Sequence, residues 1–593
     1  MSGLMLSQNA QRVLEARYLR RDAQRRVSET PEQLFARVAK AIAHAELVLG
    51  NARQAAHWEE AFHRILVALD FLPNSPTLMN AGTGLGQLSA CFVLPVDDTM
   101  EGIFDAVKHM ALVQRTGGGT GFSFSHLRPK GTVVASTGGE ASGPVSFMKI
   151  FDCATENIKQ GGKRRGANMG VLRVDHPDIL AFITAKRDEL SLQNFNLSVG
   201  VTDAFLEAVR HDLRYPLIDP RSAAAVDHVP ARMVFEAIVD AAWHTGDPGL
   251  LFLDRINRAN PTPHLGNIEA TNPCGEIPLL PYESCTLGSI NLAHMVGERE
   301  GEAVVDWRKL RTAVRIATRF LDDVIEVNKY PLPQIERATR GTRKIGLGVM
   351  GFAEMLIRLG LSYDSDAAVE LARELAGVLA TEARTMSEQL AEERGVFPHW
   401  PGSIYPASQL NIRNATCLAI APTGTLSILA DTSASIEPLF ALAYRRTHVL
   451  EGQTLIDVNP IFMSVLQRYG LNAERIIAEV RDKGRLQDVS GLPEALKRVF
   501  VTALEIPVER HLQIQAAFQH YVDNSVSKTI NLPQDATPRD VAQAYWRAWE
   551  LGLKGITIYR YGSKSAQVIE LGVSEQAHYY DHVATCDPEE CKV

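Results

Sequence analysis

The sequence Asn272-Pro273-Cys274-Gly275-Glu276 places a cysteine between a proline and a glycine, with an amide and a carboxylate two positions away on either side. Proline fixes its own backbone, and glycine tolerates conformations that other residues avoid. The pattern therefore predicts a tight, rigid turn rather than the interior of a helix or strand. Such a turn can present the amide, the thiol and the carboxylate to one bound molecule. A lone cysteine in a Pro/Gly turn is more commonly a buried structural residue, so the other motifs must decide.

Six further cysteines accompany Cys274 along the chain. Cys285 follows it by eleven positions, and Cys91 lies in residues 89–95, which predict a short strand. Cys153 and Cys417 stand in apolar runs and are expected to be inert core thiols. The last two cysteines, Cys586 and Cys591, stand close together near the polar C-terminus. A structural zinc site normally needs four Cys or His ligands, so a mobile dithiol is the better interpretation of this last pair.

Composition indicates a soluble globular protein. Of the 593 residues, 46% are hydrophobic and 22% are charged, and the net charge of −8 leaves no footprint for nucleic-acid binding. No apolar span approaches the length of a transmembrane helix, and the first residues lack a signal-peptide pattern. Seven cysteines in so long a chain do not form a disulfide scaffold. We therefore expect a cytoplasmic protein with a few working thiols, and neither membrane nor nucleic acid as a partner.

The chain divides into three predicted parts. Residues 1–70 are helical and charged, with Thr30 as an N-cap before Pro31, and predict a small helical domain. Residues 71–561 alternate strand and helix patterns, which favours α/β architecture. Residues 562–593 lose strong periodicity and predict a flexible tail that carries the last two cysteines.

Three segments have the composition of ligand-binding loops. Residues 75–82 predict a turn rich in hydroxyl and amide donors, and residues 117–125 form a glycine-rich turn whose backbone amides could approach phosphate or sugar closely. The glycine spacing matches neither a P-loop nor a dinucleotide fingerprint, so a plain turn is the commoner explanation. Residues 416–426 read as a buried strand, a Pro-Thr-Gly-Thr turn and a helix start, which suits either an anion site or a capped helix without a ligand.

One basic cluster interleaves cations with glycines, at residues 159–170. A charge run is usually a solvated face, but here an apolar strand follows, and this suits a mobile loop that grips a polyphosphate. Asp175 is predicted to cap the next helix, and His176 to be a structural turn residue. Long helices are expected at residues 100–114, 306–328 and 365–394.

Six of these motifs occur in the order seen in ribonucleotide reductases. They are Ser-Pro-Thr-Leu-Met-Asn-Ala-Gly, Ser-Ala-Cys-Phe-Val-Leu-Pro, the glycine-rich segment at Gly119, Asn-Pro-Cys-Gly-Glu, Ser-Cys-Thr-Leu-Gly-Ser-Ile-Asn-Leu and Pro-Thr-Gly-Thr. The chain resembles the adenosylcobalamin-dependent (class II) members. The resemblance implies an α/β fold: a ten-stranded α/β barrel, preceded by a small helical domain, with a central finger loop that carries Cys274.

The resemblance also implies roles for the motif residues. A thiyl radical on Cys274 takes the 3′ hydrogen of the ribose, with Glu276 as general base on the 3′ hydroxyl and Asn272 hydrogen-bonded to the sugar hydroxyls. Cys91 and Cys285 supply two electrons and end as a disulfide. The tail cysteines, Cys586 and Cys591, then reduce that disulfide by thiol exchange and are recharged by thioredoxin or glutaredoxin.

Binding residues follow from motif matching. The substrate-binding positions implied are Ser75, Ala90, Cys91, Gly119, Asn272, Pro273, Cys274, Gly275, Glu276, Pro422, Thr423, Gly424, Thr425 and Leu426. The effector-binding positions implied, for deoxynucleoside triphosphates, are Asp98, Arg128, Lys163 and Arg164. The loop at 161–170 matches the one that relays effector identity to substrate choice.

The eleven-residue spacing of Cys274 and Cys285 resembles that of the cobalamin-dependent members more than that of the iron-dependent ones, and this resemblance implies adenosylcobalamin, with its cobalt, as the cofactor. No protein side chain is assigned as a metal ligand. The motifs fit either ribonucleoside diphosphates or triphosphates, and we expect diphosphates and a homodimer. Two alternatives remain open: a class I large subunit that needs a separate radical-generating protein, and a catalytically silent nucleotide-binding regulator. The set of positioned cysteines argues against the regulator.

Overall fold

The computed structural model describes residues 4–134, 138–160, 164–188, 190–450, 453–483, 485–563 and 569–570. These fall into two compact units, of which the first contains residues 4–440 and 498–563. The second contains the paired strands Ala443–Leu450 and Gln453–Val458 and the helices Pro460–Arg468 and Ala473–Lys483. All predicted site residues that the structure describes belong to the first unit.

The N-terminal region is helical, as predicted. Its elements are the α-helix Gln8–Val13, the π-helix Leu14–Tyr18, and the α-helices Pro31–Leu49 and Ala52–Val67. The predicted N-cap is confirmed: the Thr30 hydroxyl accepts from the Gln33 backbone N–H at 3.3 Å, and the Gln33 side chain accepts from the Thr30 N–H at 2.9 Å. This reciprocal capping box satisfies two backbone donors that the helix cannot pair internally.

A buried ionic network fastens this helical region to two long helices of the following domain. Glu46 accepts from the guanidinium groups of Arg319, at 3.0 Å, and Arg394, at 2.6 Å. Arg394 also donates to Asp323 at 2.7 Å, and burial raises the pKa of Asp323 well above its ordinary value. Desolvated charges are tolerated only when each has a partner, so loss of one member would leave an uncompensated buried charge.

The strands of the first unit form a closed ring. Five parallel strands make one half: Cys91–Val93, Gly119–Ser123, Asn168–Arg173, Phe195–Val201 and Gly249–Phe252. Ser284–Asn291, Ile345–Met350, the stretch 416–420, the stretch 524–532 and Gly555–Arg560 make the other, also parallel, half. The two halves join antiparallel at both seams, and Phe71–Pro73 adds an antiparallel pairing to Ser284–Asn291. The expected ten-stranded α/β barrel is confirmed.

Backbone hydrogen bonds close the second half through segments that are too irregular to be regular strands. Leu347 donates to the carbonyl of Cys417 at 2.8 Å, and Ser527 donates to the carbonyl of Ile420 at 2.8 Å. Residue 526 also bridges Ile420 in parallel, and the same segment continues into Thr529–Leu532. A closed ring leaves no exposed sheet edge, and its diameter grows with the number of its strands.

Helices surround this ring. The longer ones are Met100–Arg115, Pro144–Glu156, Asp203–Arg210, Ala231–Thr245, Trp307–Val327, Pro333–Thr342, Asp366–Arg394, Val508–Gln519 and Pro538–Glu550. The shorter ones are Ser75–Asn80, Ile179–Ile183, Leu253–Arg258, Phe352–Arg358 and Gly424–Leu429. A further helix, Glu494–Val499, spans the sequence boundary between the two units. Small antiparallel ribbons are Lys159–Gln160 with Arg164–Arg165, Arg214–Ile218 with Ala225–Pro230, and Val296–Arg299 with Glu302–Val305. None of the described helices is both long and apolar enough to cross a bilayer.

Three local predictions were wrong. Residues 75–80 form a short helix rather than a turn, because Asn74 caps it by accepting from the Thr77 N–H at 3.0 Å. Asp175 does not cap the helix Ile179–Ile183, because that helix begins after Asp178. The Asp175 carboxylate instead pairs with Arg173. Cys153 is exposed rather than in the core, whereas Cys417 is buried as expected.

The predicted central finger is a short hairpin inside the ring. Ala270–Thr271 pairs antiparallel with Pro278–Leu279, and Gly275, at a φ of +82°, donates to the Asn272 carbonyl at 3.1 Å to close the tip. A methyl group at Gly121 would overlap the carbonyl oxygen of Thr271. The hairpin backbone therefore lies directly against the strand Gly119–Ser123, and glycine is required at this contact.

We predict that Gly121→Ala destabilises the chain by about 1–3 kcal/mol or more, because its methyl group collides with backbone that cannot rotate away. Denaturant unfolding of the purified variant measures this loss. Gly84→Ala is the matched control, since Gly84 is exposed and a methyl group there meets no atom within 4 Å. Equal stability of the two variants would contradict the close contact between the hairpin and the strand Gly119–Ser123.

Candidate active site

A cavity of about 390 Å³ surrounds the tip of the hairpin. Of the substrate-binding positions implied by the sequence, all but Gly275 line it: Ser75, Ala90, Cys91, Gly119, Asn272, Pro273, Cys274, Glu276, Pro422, Thr423, Gly424, Thr425 and Leu426. These residues come from parts of the sequence up to about 350 positions apart, and the closed ring brings them together. Gly275 contributes the turn that aims its neighbours.

Cys91 and Cys285 lie directly opposite each other on adjacent antiparallel strands. Opposed residues in such a pair have Cα atoms about 4.5–5.5 Å apart, within the range that a disulfide spans. Neither is in a disulfide here, and both are buried. Burial raises the pKa of both thiols well above the ordinary value, and the nearby Glu276 carboxylate raises that of Cys91 further. The pair is therefore a protonated dithiol that is positioned to become a disulfide.

Cys274 differs from that pair because it is exposed at the hairpin tip. The tip is held from both sides: Asn196 donates its side-chain N–H to the Pro273 carbonyl at 2.7 Å, and Ser525 donates its backbone N–H to the Glu276 carbonyl at 2.9 Å. These bonds come from opposite halves of the ring. The thiol is thus fixed in position and yet open to a reactant in the cavity.

The Asn272 side chain connects the hairpin to the dithiol. Its Nδ2 donates to Cys91 Sγ at 3.1 Å, and its Oδ1 accepts from the Ile277 backbone N–H at 3.0 Å. The amide is therefore oriented by its own hairpin before any ligand arrives. In the sequence-based role for Asn272, which is contact with sugar hydroxyls, the ligand would share this amide with Cys91 and Glu276.

Glu276 carries a buried carboxyl group that is only partly satisfied. The residue is 2% exposed, and among the described residues its Oε2 has no hydrogen-bond partner although it lines the cavity. Burial raises the pKa of Glu276 to about 7, against an opposing hydrogen bond from Asn272. A buried polar atom without a partner marks a place where a ligand can bind. A carboxyl that titrates near neutral pH can both accept and return a proton.

The Pro-Thr-Gly-Thr turn follows the buried stretch 416–420, and the helix Gly424–Leu429 begins within it. Thr423 has a φ of +52°, and its hydroxyl accepts from the Ser435 backbone N–H at 2.7 Å, which locks the turn. Sequence reasoning missed several residues that line the cavity: Arg17, Tyr18, Asn74, Met79, Ala167, Leu287, Gly288 and Ser289. Arg17 and Tyr18 lie in no motif, so no sequence signal pointed to them.

Two of the four predicted effector residues meet each other. Arg128 Nε lies 2.8 Å from Asp98 Oδ2, and the Arg128 backbone N–H donates to Asp98 Oδ1 at 3.0 Å. Neither residue lines the cavity at the hairpin. Arg164 lies in a two-stranded ribbon with Lys159–Gln160, and Lys163 lies outside the described residues. Cys586 and Cys591 also lie outside them.

We predict that Glu276→Gln stabilises the chain at pH 8 but not near pH 4.5. The folded carboxyl keeps its proton up to about pH 7, whereas the unfolded one releases it near 4.5, so wild-type stability falls across that window. The difference should approach about 3 kcal/mol at pH 8. Denaturant unfolding of both proteins from pH 5 to 8 measures it, with the exposed Glu60→Gln as control. A difference that stays constant with pH would contradict the raised pKa.

Known proteins resemble this chain along most of its length. Residues 89–559 match the family described as "Ribonucleotide reductase, barrel domain", and residues 4–86 match "Ribonucleotide reductase, all-alpha domain". A Thermoplasma acidophilum protein named vitamin B12-dependent ribonucleoside-diphosphate reductase is 49% identical, over 96% of this chain and 81% of its own length. A Mycobacterium tuberculosis protein of the same name is 51% identical, over 95% of this chain and 81% of its own length.

A solved structure agrees with the observed fold. The class Id ribonucleotide reductase alpha subunit of Actinobacillus ureae superposes with a TM-score of 0.76 at 26% identity, and the match covers 94% of this chain and 97% of that one. The family match spans both the helical region and the ring that encloses the hairpin. This chain belongs to the ribonucleotide reductase family.

Proposed function

We propose that this chain reduces ribonucleoside diphosphates to 2′-deoxyribonucleoside diphosphates through a thiyl radical, with adenosylcobalamin as cofactor. One observation carries the proposal. The exposed thiol of Cys274 shares a cavity with a carboxyl that titrates near neutral pH and with a buried, opposed dithiol. The two relatives that are about half identical to this chain carry the name of that activity.

Cys274 and Glu276 act on the ribose C3′ position in this proposal. The sulfur radical takes the 3′ hydrogen atom, which leaves a carbon radical, while the Glu276 carboxylate accepts the 3′ hydroxyl proton. Glu276 must be ionised for this step, and its pKa of about 7 places it near half ionisation at neutral pH. Its unpartnered Oε2 is the oxygen available to that hydroxyl. Asn272 would hold the sugar hydroxyls with its side-chain amide.

Cys91 and Cys285 supply the reducing equivalents. The 2′ hydroxyl leaves as water with a proton from one thiol, and the pair gives up two electrons and two protons in total as the disulfide forms. Cys274 then returns its hydrogen atom to C3′ and is ready for another turnover. Raised thiol pKa values keep both protons in place until the leaving hydroxyl needs one. The balance is one ribonucleotide and one dithiol to one deoxyribonucleotide, one disulfide and one water.

The cavity is compatible with a radical-supplying cofactor. When bound, adenosylcobalamin supplies the unpaired electron that Cys274 carries. The corrin ring brings its own nitrogen ligands for cobalt, so the cofactor requires no cluster of protein ligands. The described residues contain no group of three or more His, Cys, Asp or Glu side chains that could hold a metal ion. Cys274 is the residue that would face the cofactor, because its thiol is exposed whereas Cys91 and Cys285 are buried.

Control and recharging complete the proposal. Asp98 and Arg128, together with the loop that contains Lys163 and Arg164, would bind deoxynucleoside triphosphates, and each should shift the preference among substrates. Cys586 and Cys591 would exchange with the inner disulfide and be reduced by thioredoxin or glutaredoxin. The enzyme would act as a homodimer in the cytoplasm. Support for these points comes from the matched motifs and, for the first, from the ion pair that joins Asp98 to Arg128.

A class I large subunit is the runner-up. The Actinobacillus ureae relative of that kind shares the fold but only 26% of the sequence, whereas the vitamin B12-dependent relatives share about half. The two possibilities differ in what must be added for turnover. A class I subunit needs a second protein to generate its radical.

We predict that the purified chain alone reduces ribonucleoside diphosphates when it is given adenosylcobalamin and dithiothreitol. Cys274→Ser should abolish turnover, because a serine O–H bond is too strong to yield the radical. Formation of deoxynucleotide, followed by chromatography, measures both, and the exposed Cys153→Ser is the matched control. Activity that needs an iron-containing partner would show that the chain is a class I subunit. Turnover by Cys274→Ser would show that Cys274 does not carry the radical.

A further inference from the structure

Positive charge is scarce along the described part of the active-site cavity wall. Among the described residues that line it, Arg17 is the only Lys or Arg, and Glu276 is the only Asp or Glu. A nucleotide with phosphate groups brings several negative charges into this space. Backbone N–H groups at the Pro-Thr-Gly-Thr turn can donate hydrogen bonds to phosphate but carry no net charge. Among the described lining residues, Arg17 is therefore the side chain that can balance the charge of a bound nucleotide.

The position of Arg17 points to the phosphate end of the cavity. Its Nη1 lies 3.4 Å from Thr425 Oγ1, in the turn whose sequence suits either an anion site or a capped helix without a ligand. The neighbouring Tyr18 hydroxyl lies 2.7 Å from Ser75 Oγ, at the start of the short helix on the same wall. The Arg17 contact crosses from the N-terminal helical region to the barrel domain, whereas the Tyr18 contact stays within residues 4–86.

Local backbone geometry fixes this placement. Residues Leu14–Tyr18 form a π-helix that directly continues the α-helix Gln8–Val13, and the Leu19 N–H donates to the Leu14 carbonyl at 2.9 Å to end it. A π-turn adds a residue to the helical repeat and so rotates the side chains that follow, and such turns recur at functional sites. Tyr18 is 3% exposed, which anchors the turn and leaves Arg17 at the cavity wall.

We propose that Arg17 binds the terminal phosphate of the substrate, so that the N-terminal helical region contributes to recognition of the phosphate groups of the nucleotide. The inference deepens the proposed function and rests on it. A guanidinium group presents paired N–H donors that match phosphate oxygens, and charge-assisted bonds of this kind are about twice as strong as neutral ones. Arg17 is a binding residue in this account and takes no part in the radical chemistry.

Ligand truncation tests the proposal. In the full chain with Cys274→Ser, which prevents turnover, the affinities of a nucleoside, its 5′-monophosphate and its 5′-diphosphate are measured by calorimetry. Arg17→Met should lower the affinity for the diphosphate by about 10- to 100-fold and leave the affinity for the nucleoside unchanged. Arg17→Lys should lose less, because it keeps the charge but not the paired donors. Arg12→Met is the matched control, since Arg12 is exposed on the preceding helix and does not line the cavity.

The outcomes separate this inference from the proposed function. Diphosphate affinity that is unchanged in Arg17→Met overturns the role of Arg17 while the reductase proposal stands. Equal losses for nucleoside and diphosphate also overturn it, since they indicate a structural defect. A parent chain that binds none of the three ligands overturns both proposals. In the active enzyme, Arg17→Met should raise KM for the diphosphate by a similar factor and change kcat far less.

Discussion

The contact between the hairpin and the strand Gly119–Ser123 is the constraint on which the site depends. The Thr271 carbonyl occupies the space that any side chain at Gly121 would fill, so two backbones touch with nothing between them. Pro273 imposes a similar condition at Gly119, where a Cβ would lie 2.9 Å from its ring. The absence of a side chain at these two glycines allows the hairpin to pack directly against the strand. A shift of about 1 Å in the tip would be enough to misplace a reacting thiol.

Burial divides the three central thiols into two kinds. Cys91 and Cys285 sit on the ring itself, where loss of water raises their pKa values and keeps them protonated. Cys274 sits on the inserted hairpin, where its thiol faces the cavity. The same fold thus provides protonated thiols that can give protons and electrons, and an exposed thiol that can carry a radical. Asn272 joins the two kinds, because it belongs to the hairpin and donates to Cys91.

Local patterns predicted several of the helices and strands, and the ordered motifs identified most of the cavity wall. The capping signal at Thr30 and the helices Trp307–Val327 and Asp366–Arg394 followed from side-chain chemistry and periodicity. The sequence did not predict that glycine is required at position 121, because its neighbour Thr271 is 150 positions away and only the closed ring brings the two together. Arg17 was missed for the same reason: its role depends on Thr425, which is distant in sequence.

The central claim is that one hairpin aims Cys274 at a substrate while the opposed pair behind it is oxidised. Mapping the disulfide after a single turnover tests this most directly. A pre-reduced Cys586→Ser/Cys591→Ser double variant, given adenosylcobalamin and substrate but no reductant, is quenched, digested and analysed by mass spectrometry. The account predicts one Cys91–Cys285 disulfide per deoxynucleotide formed, with Cys274 still a thiol. A disulfide that contains Cys274, or product without a Cys91–Cys285 disulfide, would contradict it.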